Sequence, residues 1–405
     1  MNIKAIRWLD QNVGTLLCFL LTLHRRIRGI FRGQPVIYPK SGKILFIKLI
    51  EQGSTVLAYP ALNKAVDSVG RDNVFFLVLK RNRPILDVLD LVPADNILEV
   101  NLESSWRFVS SILQAIYRVR RMRIDSALDM EGFTRASAIL AYLSGAKKRV
   151  GLHQFTCAGP YRGDLLTHKL IYNPYLHTRL LFLSLVEALD RQPPPDQTPM
   201  IFEIPKATDQ YPEFSPAPDQ KQRLLKKIEQ IINSALGKPV IILNPNIGDL
   251  LPIRKWPQEY FISLGKMLAA GFPQASIIIT GTEEEKEQAQ VIAAQIEGAF
   301  SLAGETSLPE LLTLYCLADC LVTNDSGPAQ FSALTPIKSL ILFGPETPVL
   351  YGAPGPDKHC LNSNLICSPC VNVYNHRESP CRQGICLSQI KPEIVFQKVK
   401  DCLSA

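Results

Sequence analysis

The residues best placed to do chemistry stand where apolar runs end in small and polar residues. In LVTNDSGPAQFSAL (Leu321–Leu334) a strand-like run stops at Asn324, Asp325, Ser326 and Gly327, and a helical pattern starts at once. Asp325 or Ser326 can cap that helix, and Gly327 lets the backbone come close to a ligand. The free N–H groups at such a start suit a phosphate, although helices that bind nothing are capped by the same residue types. The logic recurs in NPNIGDLLPIRKWPQEYF (Asn244–Phe261), where Arg254 and Lys255 precede a helix opened by Pro257. Cations there can hold a diphosphate and stabilise it as it departs, or stay solvated ahead of a tryptophan that packs. In TGTEEEKEQA (Thr280–Ala289), Glu283, Glu284 and Glu285 follow a strand-like run. A carboxylate at that place can accept from ribose hydroxyls or simply suit the first turn of a helix.

The elements that must position these turns alternate in type. PVIILNP (Pro239–Pro245), ASIIITG (Ala275–Gly281), DCLVTN (Asp319–Asn324) and KSLILFG (Lys338–Gly344) read as strands, with helices expected over 257–270, 284–297 and 308–318. An earlier series does the same: strands at 43–49, 74–79, 96–100 and 124–130, helices over 54–69, 105–121, 134–144 and 177–189. Strands that are almost continuously apolar and alternate with helices indicate parallel sheets covered on both faces. Residues 191–220 contain eight prolines and look like a linker. The expectation is an α/β protein of two doubly wound, Rossmann-like domains, with ligands bound in a cleft outside the carboxyl ends of the strands. The boundaries expected are 1–40 for a basic terminal segment, 41–190 and 237–390 for the two domains, 191–236 for the linker region and 391–405 for a last helix.

The composition is that of a globular chain: 405 residues, 46% hydrophobic and 20% charged. Its charge of +7 is concentrated at one end, where residues 1–33 hold Lys4, Arg7, Arg25, Arg26, Arg28 and Arg32 against Asp10. The rest is close to neutral, which disfavours a general nucleic-acid binder. The charge-free stretch Gln11–Leu23 is too short to span a bilayer. It runs into HRRIRGIFR rather than a small-residue cleavage site, which argues against secretion. As a helix it places Gln11, Thr15, Cys18, Thr22 and Arg25 on one side and Leu9, Val13, Leu16, Leu17, Leu20 and Ile27 on the other. Such a helix suits an anionic membrane surface, or packs on the protein's own core. Ten cysteines are too sparse for a disulfide scaffold and fit reduced thiols. Cys367, Cys370, Cys381 and Cys386, with His376 between them, come near a zinc-ribbon spacing, but the second pair is too wide; structural zinc is not expected.

Together RKWP (Arg254–Pro257), GTEEE (Gly281–Glu285), GETSLPELLTL (Gly304–Leu314), TNDSGPA (Thr323–Ala329) and LFGPETP (Leu342–Pro348) resemble glycosyltransferase family 9, the ADP-heptose:lipopolysaccharide heptosyltransferases. In the first half GSTVLAYPAL (Gly53–Leu62), DMEGFTRASAILAYLSGAKKRVGL (Asp129–Leu152) and His177 are also similar. The resemblance implies a GT-B fold, with the acceptor on the first domain and the nucleotide-sugar donor on the second. It further implies inversion at the anomeric centre and no required metal or other cofactor. Arg254 falls where the family usually has a phosphate-binding Lys, and Asp325, Ser326 and Gly327 fall on its donor-binding Asp-Thr/Ser-Gly. Glu285 falls near the acidic residue that contacts the nucleoside, Thr306 lines the same pocket, and Lys255, Asn324 and Gln330 complete the donor set. Gly53, Ser54 and Thr55 lie on the acceptor side.

Two positions depart from the family pattern. Ser54 stands where the family has the Asp that serves as base, and a serine cannot do that unaided at neutral pH. The nearest carboxylate is Glu51, to which the base role is assigned here. Gln330 replaces a usual His, keeping hydrogen bonding but losing the capacity for charge. The reading is an inverting glycosyltransferase, with Glu51 and Arg254 catalytic, moving a sugar, heptose first, to a lipopolysaccharide core or related lipid-linked saccharide. The place expected for it is the cytoplasm, peripheral on the inner face of a bacterial inner membrane. The alternatives are a GT-B transferase using another nucleotide sugar, and a non-catalytic scaffold that has lost its base.

Overall fold

The computed structural model of the protein describes residues 3–30, 37–132, 134–156, 159–207, 211–248, 251–375 and 377–404. Arg32 and His376 lie outside the described residues. The chain forms two compact units, Met1–Thr208 with Asn372–Arg377, and Asp209–Val371 with Glu378–Ala405.

In the first unit β1 (Ile44–Ile47), β2 (Val74–Leu79), β3 (Ile97–Val100), β4 (Ser126–Asp129), β5 (Lys148–Leu152) and β6 (His168–Leu170) form one sheet in the order β3-β2-β1-β4-β5-β6. Every neighbouring pair is parallel. Its helices are α1 (Ile3–Ile30), α2 (Gln52–Leu57), α3 (Tyr59–Val69), α4 (Pro84–Leu89), α5 (Ser105–Arg121), α6 (Arg135–Leu143) and α7 (Thr178–Glu187). β1 and β2 are apolar at every position because both faces are covered. Ile44, Phe46 and Phe76 pack with Leu57, Leu62, Leu181 and Leu185 on one face. Leu45, Ile47 and Phe75 pack with Ala115 and Val119 of α5 and Leu140 and Ala141 of α6 on the other.

The second unit repeats this order. β7 (Val240–Asn244), β8 (Ser276–Ile279), β9 (Ala299–Ser301), β10 (Cys320–Asn324), β11 (Lys338–Leu342) and β12 (Lys358–Leu361) run β12-β11-β10-β7-β8-β9, all parallel. Its helices are α8 (Pro218–Ile232), α9 (Gln258–Gly271), α10 (Lys286–Ala293), α11 (Leu308–Leu317), α12 (Gly327–Phe331), α13 (Pro348–Tyr351), α14 (Ile385–Ser388) and α15 (Pro392–Ser404). Numbered within its own unit each sheet reads 3-2-1-4-5-6, the Rossmann order. The strand order therefore reverses between β1 and β4 and between β7 and β10, and doubly wound sheets bind ligands at the carboxyl ends of such strands.

Three features differ from the sequence pattern. β5 and β6 are strands despite Lys148, Arg149 and His168, because their polar ends find partners: the buried Lys148 donates to the Leu189 carbonyl at 2.6 Å. The proline-rich region contains the helix α8, which packs on α11. Glu283–Glu285 form a 3-10 turn, so α10 starts at Lys286.

Helix α1 packs its polar stripe inward. Asp10 Oδ1 accepts from the N–H groups of Arg135 (3.0 Å) and Ala136 (2.9 Å) and so caps α6. Gly14 permits the approach, since a Cβ there would meet the Arg135 Cβ at 3.0 Å. Cys18 is fully buried, Thr22 Oγ1 accepts from the Asp164 N–H (2.8 Å), and Arg25 pairs with Asp164 (2.6 Å). Leu9, Val13, Leu16, Leu17, Leu20 and Ile27 are left on the outside with Trp8, Phe19 and Leu23. Among the described residues no helix is long and apolar enough to cross a membrane.

Candidate functional site

In the first unit the candidate base lies just beyond the carboxyl end of β1. Glu51 precedes the first residue of α2 with φ 66° and ψ 88°, a left-handed conformation that costs a non-glycine residue free energy, and its side chain does not cap the helix. Its Oε1 receives a hydrogen bond from Arg377 Nη1 at 2.6 Å. The Ser54 hydroxyl donates to the Glu51 carbonyl at 2.9 Å and lies 3.5 Å from Oε2. Serine and carboxylate thus share one spot. Gly53 and Thr55 are buried in α2, and the Thr55 hydroxyl is turned to the Glu51 carbonyl.

Two residues here escape a reading of the sequence. Glu131, beyond the end of β4, reaches across the point where the strand order reverses. Its Oε1 accepts from the N–H of Leu49 (2.6 Å) and Ile50 (2.9 Å) and faces Lys48 Nζ at 3.4 Å. Lys48 Nζ also donates to the Ile50 carbonyl at 2.6 Å. Burial raises the Glu131 carboxyl above the usual range, with the Lys48 ammonium as the largest counterweight. Asp129 is likewise raised by burial, against the Arg162 guanidinium with which it pairs. It accepts from the Glu131 N–H at 3.1 Å, so one buried network links the turn after β4 to the loop that carries Glu51. The second is Arg377, whose segment Asn372–Arg377 belongs to this unit, with Val373 in its core and the Tyr374 hydroxyl donating to the Tyr172 carbonyl at 2.9 Å. The run of acids in DME was the only signal for Glu131, and nothing in the sequence pointed to Arg377.

In the second unit the expected donor residues gather beyond β7 and β10. Arg254 Nη1 lies 3.4 Å from Asp325 Oδ2, both side chains mostly buried. Asn324 Oδ1 accepts from the Trp256 N–H (2.9 Å) and its Nδ2 donates to the Pro245 carbonyl (2.9 Å), which ties the Arg254–Trp256 turn to the end of β10. Ser326 stands at the start of α12 but makes no side-chain cap, contrary to the sequence expectation, because its hydroxyl donates to the Asn324 carbonyl at 3.1 Å; the helix has only five residues, so local N–H groups matter there more than a macrodipole. Lys255 turns instead to Gln288 Oε1 (2.8 Å), and burial lowers its ammonium. Glu285 closes its own turn by accepting from the Thr282 N–H (2.8 Å), and Thr306 is half-buried ahead of α11. Gln330 donates to the Tyr351 carbonyl (2.6 Å), while its buried Oε1 has no hydrogen-bond partner among the described residues.

Other buried polar atoms at these strand ends are also unsatisfied among the described residues: Asn244 Oδ1, Arg254 Nε and both side-chain polar atoms of Asn246. Asn246 was not singled out from the sequence. A Cβ added at Gly281 would meet Asn246 Nδ2 at 2.7 Å and Glu285 Oε2 at 3.2 Å, so the amide and the carboxylate border the same small space. Buried polar groups are normally paired, and a group of them left open at the ends of strands is suited to a polar ligand. Cys367 is exposed, Cys370 and Cys381 are half-buried and Cys386 is buried. Among the described residues no three or more His, Cys, Asp or Glu are placed to hold a metal.

The chain is 26% identical over 175 residues to lipooligosaccharide heptosyltransferase 2 of Campylobacter jejuni, covering 41% of this chain and 52% of that protein. It is 28% identical over 208 residues to lipooligosaccharide heptosyltransferase 2 of Haemophilus influenzae, covering 50% and 59%. It thus spans about half the length of the curated relatives it matches. Among solved structures, Escherichia coli ADP-heptose LPS heptosyltransferase II matches with a TM-score of 0.66 at 18% identity, covering 89% of this chain and 98% of that one. A family 9 glycosyl transferase from Veillonella parvula matches with a TM-score of 0.67 at 15% identity, covering 91% and 99%. These likenesses are of fold, and the fold is GT-B. The model of glycosyltransferase family 9 (heptosyltransferase) matches residues 112–379, beginning after β3 and so leaving out the loop of Glu51 and Ser54. Since that match runs from α5 to beyond Arg377 and takes in every strand from β4 to β12, the chain belongs to glycosyltransferase family 9, the heptosyltransferase family.

Proposed function

We propose that the protein transfers heptose, with inversion, from a nucleotide diphosphate donor of the ADP-heptose type to a lipopolysaccharide core or related lipid-linked saccharide. The observation that carries this reading is the Glu51 carboxylate, held in a strained conformation beyond the end of β1 with Ser54 Oγ 3.5 Å from its Oε2. A carboxylate close to the serine that replaces the family's Asp supplies a displaced base. Glu51 takes the proton of the acceptor hydroxyl as that oxygen attacks the anomeric carbon. The bond from that carbon to the diphosphate breaks on the opposite face, and the leaving oxygen keeps the electron pair. Arg254 and the backbone at Ser326–Gly327 offset its developing charge, with no cofactor required. Arg377 orients the base through its 2.6 Å hydrogen bond.

The acceptor's lipid gives the outward apolar face of α1 a role. With Arg7, Arg26 and Arg28 exposed beside that face, α1 lies on the anionic inner leaflet of the bacterial inner membrane. A second reading is a binding protein without turnover, and it is favoured by one observation, that Arg377 already occupies Glu51 Oε1. Turnover of ADP-heptose and a panel of other nucleotide sugars, measured beside binding, separates the two. The transferase reading requires turnover that falls by about 100-fold or more in Glu51→Gln while donor binding persists. Unchanged activity in Glu51→Gln removes Glu51 from the mechanism, and binding without any turnover supports the second reading.

A further inference from the structure

We propose that α5 is a second membrane contact, whose outward stripe of Trp106, Val109, Leu113 and Tyr117 enters the interface of an anionic lipid surface. The proposal takes its direction from the reading of α1 given above but stands on different residues. α5 is apolar on two sides. Its inner side, with Ala115 and Val119 buried and Phe108, Ile112 and Ile116 packed beside them, covers the sheet. Trp106, Val109, Leu113 and Tyr117 follow at steps of three, four and four, which places them in one line on the outside. They are 78%, 47%, 61% and 64% exposed, an unusual state for a contiguous apolar line with an aromatic residue at each end.

α5 and α1 are both neighbours of α6. Leu140 and Ala141 of α6 join the core beneath α5, and Ala138 and Ile139 join Cys18 and Leu21 beneath α1. The Arg120 Nε donates to the Leu143 carbonyl at 2.8 Å, which ties the end of α5 to the end of α6. α5 and α1 thus each pack on α6, and each carries an apolar stripe on its exposed side.

Charge selects the occupant. α5 contains Arg107, Arg118, Arg120 and Arg121 and no acidic residue; Arg107 is paired with Glu103 ahead of the helix, while Arg118 and Arg120 bond only backbone carbonyls and keep the net positive charge. The acid of α1, Asp10, is turned inward onto α6, while Arg7, Arg26 and Arg28 are exposed. A second copy of the chain would set these arginines against their own kind, because a two-fold contact uses the same patch on both subunits. A leaflet with anionic headgroups complements them, and Trp and Tyr are the side chains that settle at the level of the headgroups.

The test uses the full-length chain with vesicles of phosphatidylcholine, with and without phosphatidylglycerol, some carrying brominated acyl chains. In Trp8→Phe the tryptophans left are Trp106 and the fully buried Trp256, so emission from the exposed ring reports on α5. The expected result is quenching by brominated anionic vesicles and little by neutral ones. The double substitution Trp106→Ser/Leu113→Ser should weaken sedimentation with anionic vesicles by about tenfold or more, with an unchanged urea midpoint because both side chains are exposed. Absence of quenching, or unaltered sedimentation of the double variant, overturns the proposal. Leu16→Ser/Leu20→Ser tests α1 separately: if it alone weakens sedimentation, the α5 proposal falls and the α1 reading survives, and the converse removes α1. If light scattering without lipid shows a dimer that Trp106→Ser/Leu113→Ser dissociates, the stripe is an interface between copies and the proposal fails.

Discussion

Replacing Glu131 by Gln tests how the loop of the candidate base is held. All three contacts of this carboxylate end on Oε1, at 2.6 Å from the Leu49 N, 2.9 Å from the Ile50 N and 3.4 Å from Lys48 Nζ. An amide oxygen can take the same place, so the two backbone bonds survive and only the charge is lost. Lys48, 2% exposed, then keeps the Ile50 carbonyl but has lost its counter-ion. Removing one partner of a buried pair costs about 3–5 kcal/mol, a large part of a stability that is usually about 5–15 kcal/mol. Lys48→Met strands the carboxylate and should cost a similar amount. Lys48→Met/Glu131→Gln leaves neither charge and should cost no more than either single substitution, giving a coupling of about 3–5 kcal/mol or more in the double-mutant cycle. Urea unfolding of the four proteins measures it. If the effects of the single substitutions add to within about 0.5 kcal/mol, the two groups are not a coupled buried pair, and the argument that Glu131 fixes Leu49 and Ile50 through that pair fails.

Asn246→Ala removes an amide that makes no hydrogen bond among the described residues, so stability should hold while nucleotide diphosphate binding, measured by calorimetry, weakens about tenfold; unchanged binding would mean that the amide does not face the ligand. Asp10→Ala strips the cap from α6 and the partner from Arg135, and should lower stability by about 1–2 kcal/mol in urea unfolding; a loss below about 0.3 kcal/mol would mean that α1 does not support α6. The contribution of two buried histidines to stability should also fall in mild acid. Burial holds His168, whose Nε2 donates to the Arg191 carbonyl, down at about 4, and His153 at about 4 as well. An unfolded imidazole titrates near pH 6.5, so between about 4 and 6.5 the unfolded chain binds more protons than the folded one. Stability is then full above that window and lost as pH falls through it, by up to about 3 kcal/mol for His168. Because the raised carboxyls of Glu131 and Asp129 act in the opposite sense, the His168 share is read as the difference in unfolding midpoint between the protein and His168→Gln from about pH 7 to 4.5, and a difference that does not change with pH contradicts this.

The architecture was legible wherever strands are buried on both faces, because such strands must be apolar throughout. VFFLVL and VIILN therefore announced themselves, and β10 with its turn at Asn324 did so as well. β6 was hidden because HKL relies on partners elsewhere in the chain: Lys169 pairs with Asp164 and His168 with the Arg191 carbonyl. The helical pattern of α1 was visible, but which side it would bury was not. Its inward face is fixed by Asp10, Thr22 and Arg25, and each has a partner outside α1 that lies more than 100 residues away.

The candidate site was legible as residue types and not as pairs. Read in sequence, Glu51, Arg254 and Asp325 each look like a charge awaiting a ligand. In the folded chain Glu51 meets Arg377 across 326 positions, and Arg254 meets Asp325 across 71. A charged side chain in a strand-end turn is thus weak evidence of ligand contact, because the fold tends to supply a counter-ion first; burying an unpaired charge costs too much. A neutral amide tolerates an open bond at a smaller cost, about 1–3 kcal/mol, and a sequence gives no sign of which amides are left open. Asn246, with both ends unsatisfied among the described residues beside Gly281, and Gln330, with its Oε1 open among them, are therefore sharper pointers to where a donor is read than Arg254. If nucleotide binding survives Asn246→Ala together with Gln330→Ala but not Arg254→Ala, that ordering is wrong and charge alone holds the donor.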